Sequence, residues 1–110
     1  MILEEEIDEL LEHGIKLHRA GSVLEAKDYY QKVLNKSPEN SDALNLMGVA
    51  SLHLGDAELA VSLITKALVN SPNNPGILNN LGQAFQDLGD SITAVTHFQN
   101  ALNFSPENTE

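Results

Sequence analysis

Asn74 to Pro106 reads NPGILNNLGQAFQDLGDSITAVTHFQNALNFSP, and its apolar residues return at three- and four-residue steps: Leu78, Leu81, Phe85 and Leu88, then Val95, Phe98, Ala101 and Leu102. That spacing puts each set on one side of a helix and matches no strand, in which apolar residues alternate. Between the two sets stand Gly89, able to take the left-handed conformation that closes a helix, and Asp90, whose side-chain oxygen can cap the next one. Asn74 followed by Pro75 opens the first helix, because a proline in the first turn lacks only an amide the helix would not use. Ser105-Pro106 closes the second, since proline has no donor and pushes its predecessor out of helical geometry. The stretch is a helical hairpin.

Working outward, the hairpin recurs twice upstream. Pro38, Pro72 and Pro106 stand 34 residues apart, and so do Gly14, Gly48 and Gly82, then Gly21, Gly55 and Gly89, then Ala26, Ala60 and Ala94. A constant interval at so many registers defines a tandem array. Ser22, Asp56 and Asp90 hold the capping position of each second helix, and Ser22 with Glu25 spells a capping box. Helices are predicted at about 3 to 20, 23 to 36, 41 to 54, 57 to 70, 75 to 88 and 91 to 104.

This pattern resembles the tetratricopeptide repeat, which joins a large residue, Leu-Gly, an aromatic, then Ala, an aromatic and Pro over 34 residues. The third unit supplies Leu78, Leu81-Gly82, Phe85, Ala94, Phe98, Ala101 and Pro106; the second supplies Leu44, Met47-Gly48, Ala60, Ala67 and Pro72. The resemblance covers Ile7 to Asn108, divided as 7–40, 41–74 and 75–108, with 1–6 extending the first helix and 109–110 starting a fourth unit. Leu10, Leu44 and Leu78 stand where the family has a large aromatic, His13 precedes Gly14 in place of Leu, and Ser51 replaces an aromatic. Packing in the first two units is expected to be looser for it. The resemblance implies an all-α, right-handed α-solenoid of six helices, the first helix of each pair lining a concave groove that holds a peptide or protein. One hairpin cannot bury its apolar face alone, and stacking joins the faces into one core.

Charge narrows the partners. Six Lys and Arg against sixteen Asp and Glu give a net charge of -10 over 110 residues, which repels both a phosphate backbone and an anionic membrane. Neither nucleic acid nor membrane is an expected partner. Lys16, Arg19, Lys27, Lys32 and Lys36 precede residue 40, and only Lys66 comes after it. There is no Cys, the opening carries three consecutive glutamates, and no run is long and apolar enough for a span, so a cytoplasmic protein is expected.

No nucleophile with a paired base, phosphate loop or zinc motif is found, and no catalytic residue, cofactor or metal is expected; the chain does not read as an enzyme. His13, His18, His53 and His97 lack the i, i+4 pairing of a helical metal site and are expected to pack or face solvent, with His18 and His53 falling near each other along the groove. The run Glu4, Glu5, Glu6, Asp8, Glu9 and Glu12 suits the positive end of a helix better than acid catalysis.

The groove is the candidate site. In the third unit Asn79, Asn80, Gln83, Gln86 and Asp87 form a polar stripe at helical spacing, continued upstream by Asn45. Amides donate and accept, so such a row can grip a peptide backbone of many sequences, and arrays of the sugar-transferase type carry similar asparagines. A merely solvated face is the plainer reading. In the first two units the stripe is mixed and partly greasy: Asp8, Leu11, Glu12, Ile15, His18 and Arg19, then Asp42, Asn45, Leu46, Val49, Leu52 and His53. Leu11, Ile15, Leu46 and Val49 suit an amphipathic helix or an apolar anchor, or else close against neighbouring helices. The Lys, Asn and Arg clamp with which chaperone adaptors hold an acidic C-terminal peptide is missing, since Leu11, Ile15, Leu46, Gly76 and Asn80 take those turns. Arg19 is left as the one permanent groove cation.

The leading reading is a protein-interaction scaffold. One alternative is the substrate-recruiting N-terminal array of a glycosyl- or sulfotransferase; another is homotypic assembly. Ser105 to Glu110 echoes Ser37 to Asp42, so a fourth repeat is expected, making the chain the N-terminal piece of a longer, bacterial protein. Without a covering helix, part of Ile92, Val95, Phe98, Leu102 and Phe104 is expected to lie open and to drive self-association.

Overall fold

The computed structural model describes residues 4–105. Six helices succeed one another: α1 (Glu4–Arg19), α2 (Val23–Lys36), α3 (Ser41–His53), α4 (Ala57–Asn70), α5 (Pro75–Asp87) and α6 (Ser91–Phe104), with no strand among the described residues. α1, α3 and α5 stop just short of the predicted ends because Ala20, Leu54 and Leu88 already belong to turns. The echo of a fourth repeat after Ser105 lies outside the described residues.

Every first helix closes in the same way. The amide of Ser22 donates to Leu17 O (2.8 Å) and that of Gly21 to His18 O (3.1 Å); Asp56 to Ser51 O and Gly55 to Leu52 O, then Asp90 to Phe85 O and Gly89 to Gln86 O, repeat the pair. This double bond to the last turn needs a left-handed residue, and Gly21, Gly55 and Gly89 supply it at φ 90°, 86° and 87°. Helix starts are capped by Asn40 on Ala43 N (2.9 Å), Asp56 on Leu59 N, Asn74 on Ile77 N and Asp90 on Thr93 N (each 3.1 Å).

Ser22 is the exception. It makes no side-chain capping bond, so the expected capping box with Glu25 is not formed. Its backbone (φ -86°, ψ 64°) lies near that of Asp56 (φ -109°, ψ 77°) and Asp90 (φ -97°, ψ 79°). A carboxylate reaches the helix amide from that geometry, and a hydroxyl, one bond shorter, does not.

Within each hairpin the helices approach at glycine. A Cβ on Gly48 would collide with Ile64, and one on Gly14 or Gly82 would come within 2.5 Å of Tyr30 or Phe98. Successive hairpins stack α2 on α3 and α4 on α5, and α3 also meets α5. One buried cluster contains Leu11, Ala26, Tyr30, Val33, Ala43, Met47 and Ala50; the next contains Leu44, Ala60, Ile64, Ala67, Ile77, Leu81 and Ala84. Leu34 and Leu63 pack against both, which makes the core continuous along the array. Ser51, standing where an aromatic was expected, is buried and satisfies its hydroxyl on Met47 O (2.9 Å).

The expected open strip on α6 is present, with Ile92, Val95, Leu102 and Phe104 exposed and Phe98 half-buried. Ile92 (85%) is exposed, but so is Leu24 (68%) at the equivalent place in the first unit, and Phe104 stands where Lys36 and Asn70 are exposed too. Val95, Phe98 and Leu102 alone are more exposed than their equivalents, since Val61, Ile64 and Leu68 are covered by the next hairpin.

Candidate functional site

Two side-chain bonds join first helices of successive hairpins. His18 Nε2 lies 2.8 Å from His53 Nδ1, linking α1 to α3, and Asn80 Nδ2 donates to Asn45 Oδ1 (3.1 Å), linking α5 to α3. These bonds tie α1, α3 and α5 into one wall, the one that the family resemblance implies is concave.

Between α1 and α3 the wall opens into a cavity of about 420 Å³ lined by Ile15, His18, Arg19, Tyr30, Leu46, Val49 and His53. Sequence reasoning names all of these except Tyr30. Tyr30 is fully buried, with its ring beneath Gly14 and its hydroxyl 3.2 Å from His18 Nδ1. A signal for it exists: a glycine on the facing helix makes room for a large ring whose polar tip must find a partner. Ile15 and Leu46 both line the cavity and pack on the first core cluster.

Burial pushes the Tyr30 phenol up, so it stays protonated. Burial first, and then the neighbouring His53, hold His18 below its ordinary value. His18 thus bridges the Tyr30 hydroxyl through Nδ1 and His53 Nδ1 through Nε2, with the donor in each bond set by the tautomer.

Leu11 corrects the expected groove set. It is 8% exposed and belongs to the first core cluster. Asn45 and Asn79, its equivalents, are half-buried and exposed, because an aliphatic side chain at this position gains about 2 kcal/mol by folding down between α2 and α3 whereas an amide loses solvation there.

The amide stripe is not a uniform row. Asn79 and Gln86 are exposed, half-buried Asn80 is tied to Asn45, and Gln83 donates to Asp87 on its own helix (3.0 Å). Arg19 is exposed at the lip of the cavity.

A larger cleft of about 580 Å³ lies elsewhere, between α1 and α2, lined by charged and aromatic side chains including Glu6, His13, Tyr29, Lys32 and Lys36. His13 stacks on Tyr29 (5.4 Å), Lys32 Nζ lies 4.5 Å from that ring's centre, and Lys36 pairs with Glu6 (3.5 Å). The equivalent cleft of the second hairpin holds only about 190 Å³, because the loop through Pro38 and Glu39 enters it and Asn70 binds Glu39 O. Cleft size there reflects how the chain enters a hairpin, so volume alone does not mark the site. His97 stacks on Phe85 (5.4 Å). Among the described residues, no group of three or more His, Cys, Asp or Glu is placed to hold a metal ion, and no helix is long and apolar enough to cross a membrane.

Two family profiles described as tetratricopeptide repeat match the chain, at residues 11–75 and 63–96. Among solved structures, a mutant O-GlcNAc transferase of Thermobaculum terrenum superposes with a TM-score of 0.92 at 29% identity, over 97% of this chain and 21% of the transferase. The Sgt2 TPR domain from Aspergillus fumigatus gives 0.85 at 24% identity, over 90% of this chain and 66% of that one. The first TPR of Spaghetti (RPAP3), bound to the HSP90 peptide SRMEEVD, gives 0.89 at 22% identity, over 98% and 86%. The chain thus spans about a fifth of the transferase's length and two thirds of the Sgt2 domain's. None of the curated proteins compared matches it.

Proposed function

Because the chain belongs to the tetratricopeptide repeat family, we propose that its concave wall receives a peptide or protein segment and that it acts by holding that segment, without catalysis of its own. The observation that carries this is the cavity between α1 and α3, on the face formed by the first helices, with the exposed amides Asn79, Gln83 and Gln86 on α5. Ile15, Leu46 and Val49 anchor an apolar side chain, while His18, Arg19 and His53 form the lip. Asn79, Gln83 and Gln86 hold backbone groups further along, and Asn45 with Asn80 joins the two stretches. The peptide bound to the Spaghetti TPR supports peptide binding as a mode open to this fold. It does not extend to the same acidic tail, since Arg19 is the only permanently charged cation among the proposed groove residues.

The test is a photo-crosslinking amino acid placed at Gln86 on the wall or at Asp28 on α2, with a pull-down then repeated on Asn79→Ala plus Asn80→Ala. Partners should crosslink at position 86, and the double variant should lose them while keeping its helical circular dichroism. Equal crosslinking at position 28 would overturn the groove.

A second reading, recruitment of substrates to a transferase, is favoured by the superposition on the transferase over nearly all of this chain. It uses the same groove and differs in requiring a catalytic domain beyond residue 110. A third, self-association, rests on Val95, Phe98 and Leu102. Light scattering at millimolar protein should show dimers, and a strict monomer would sink it.

A further inference from the structure

At the ends of α1 and α3, His18, Arg19 and His53 meet on one lip of the inner cavity, above the aliphatic side chains of Ile15, Leu46 and Val49. In a chain with a net charge of -10 and only six Lys and Arg, that grouping is not what composition alone would place there. His18 bonds Tyr30 through Nδ1 and His53 Nδ1 through Nε2, so His53 Nε2 is the ring nitrogen that His18 leaves unengaged; a carboxylate arriving at the lip selects the tautomers in which that nitrogen carries the N–H. A donor on this outer nitrogen beside a guanidinium, with an apolar floor below, complements a carboxylate carried next to an aliphatic side chain.

The geometry points to a subsite for an acidic residue with an aliphatic neighbour, its carboxylate on His53 and Arg19 and the aliphatic group against Ile15, Leu46 and Val49. This rests on the groove reading above and adds the chemistry of the bound segment to it. A carboxylate arriving at the lip favours an additional proton on the histidine pair, so binding takes up protons and tightens as pH falls from 8 to 6. The other titratable or charged groups around the pair are Arg19 on α1 and Tyr30 on α2, with Glu25 of α2 sharing a second cleft with His53 on the far side of the lip, while α5 carries Asp87, already engaged by Gln83. None of the other groups lining the cavity is acidic.

The experiment uses three fluorescein-labelled peptides of alternating Gly and Ser with Leu-Glu, Leu-Gln or Leu-Lys at the centre, titrated with the chain at pH 6 and pH 8 and read by polarisation. Leu-Glu should bind about tenfold more tightly than Leu-Gln at pH 6 and about threefold at pH 8, with Leu-Lys weakest. His53→Gln should abolish the pH-dependent part of the preference, and Arg19→Gln should lower it at both pH values. Equal binding of Leu-Glu and Leu-Gln, or a preference that survives both substitutions, overturns the subsite and leaves the groove standing. Binding by none of the three at millimolar concentration, together with crosslinks confined to α2, overturns both.

Discussion

Between α1 and α3 the inner wall is a pocket with an aliphatic floor and a bonded histidine pair; between α3 and α5 it is an open polar surface joined through Asn45 and Asn80. The backbone does not distinguish them, since α1, α3 and α5 end in the same two hydrogen bonds and the same left-handed glycine. The difference lies in side chains 34 residues apart: Ile15, Val49 and Gln83 in one row, Arg19, His53 and Asp87 in another. Interior glycines and alanines hold the spacing, and the wall varies without disturbing it. Fold and binding chemistry are therefore separable here, and substitutions inside and on the wall should report on different things.

The largest effect is expected inside. Gly48→Ala forces a methyl group into Ile64, which is fully buried, whereas Gly82→Ala meets Phe98, which is only half-buried and can swing outward. Overpacking a rigid neighbour should cost about 3 kcal/mol and displacing a mobile one about 1 kcal/mol, read from urea midpoints. Equal losses would mean that the middle and last hairpins are equally rigid.

That contrast also marks what can be read from residues alone. Small residues and turn formers at a fixed interval have one structural consequence each, so the helices, their order and the closing glycines are all legible in the sequence. Leu11 reads as a groove residue although it is core, because its position on the helix suits either, and the depth of the neighbouring α2 and α3 decides between them. Ser22 reads as a cap although it makes no capping bond, because a capping pattern says nothing of the ψ angle from which the side chain must reach. Tyr30 escapes notice because its body is core and only its oxygen belongs to the site. Exposure of Ile92 looks like a consequence of the array's end, whereas Leu24 shows it to be a property of the position.

A smaller effect should separate the two wall regions by pH. Folding holds His18 below its ordinary value of 6.5, through burial and then through His53. A base whose affinity for protons drops on folding stabilises the fold above 6.5, and that contribution is lost as pH falls through 6.5 toward the lower folded value. The melting temperature should therefore fall between pH 7.5 and 5.5, and His18→Gln should flatten the profile. Asn80→Ala, in the amide region, should leave its slope unchanged. Tyr30→Phe should cost about 1 kcal/mol at pH 7.5 by leaving His18 Nδ1 without its partner. An unchanged slope in His18→Gln would show that the histidine pair is not set by the fold.

The smallest effects lie at helix starts, where the first hairpin differs from the third. Asn74 accepts from Ile77 N and holds the entry to α5, so Asn74→Ala should cost about 1 kcal/mol. Ser22→Ala removes a hydroxyl with no capping bond and should cost less than about 0.5 kcal/mol. Ser22→Asp is the sharper test. If the hydroxyl fails only because it is short, the longer carboxylate should form on α2 the bond that Asp56 and Asp90 form on α4 and α6, and should raise the melting temperature. No gain from that substitution would place the fault in the backbone entering α2, and the three hairpins would then differ in their turns as well as in their walls.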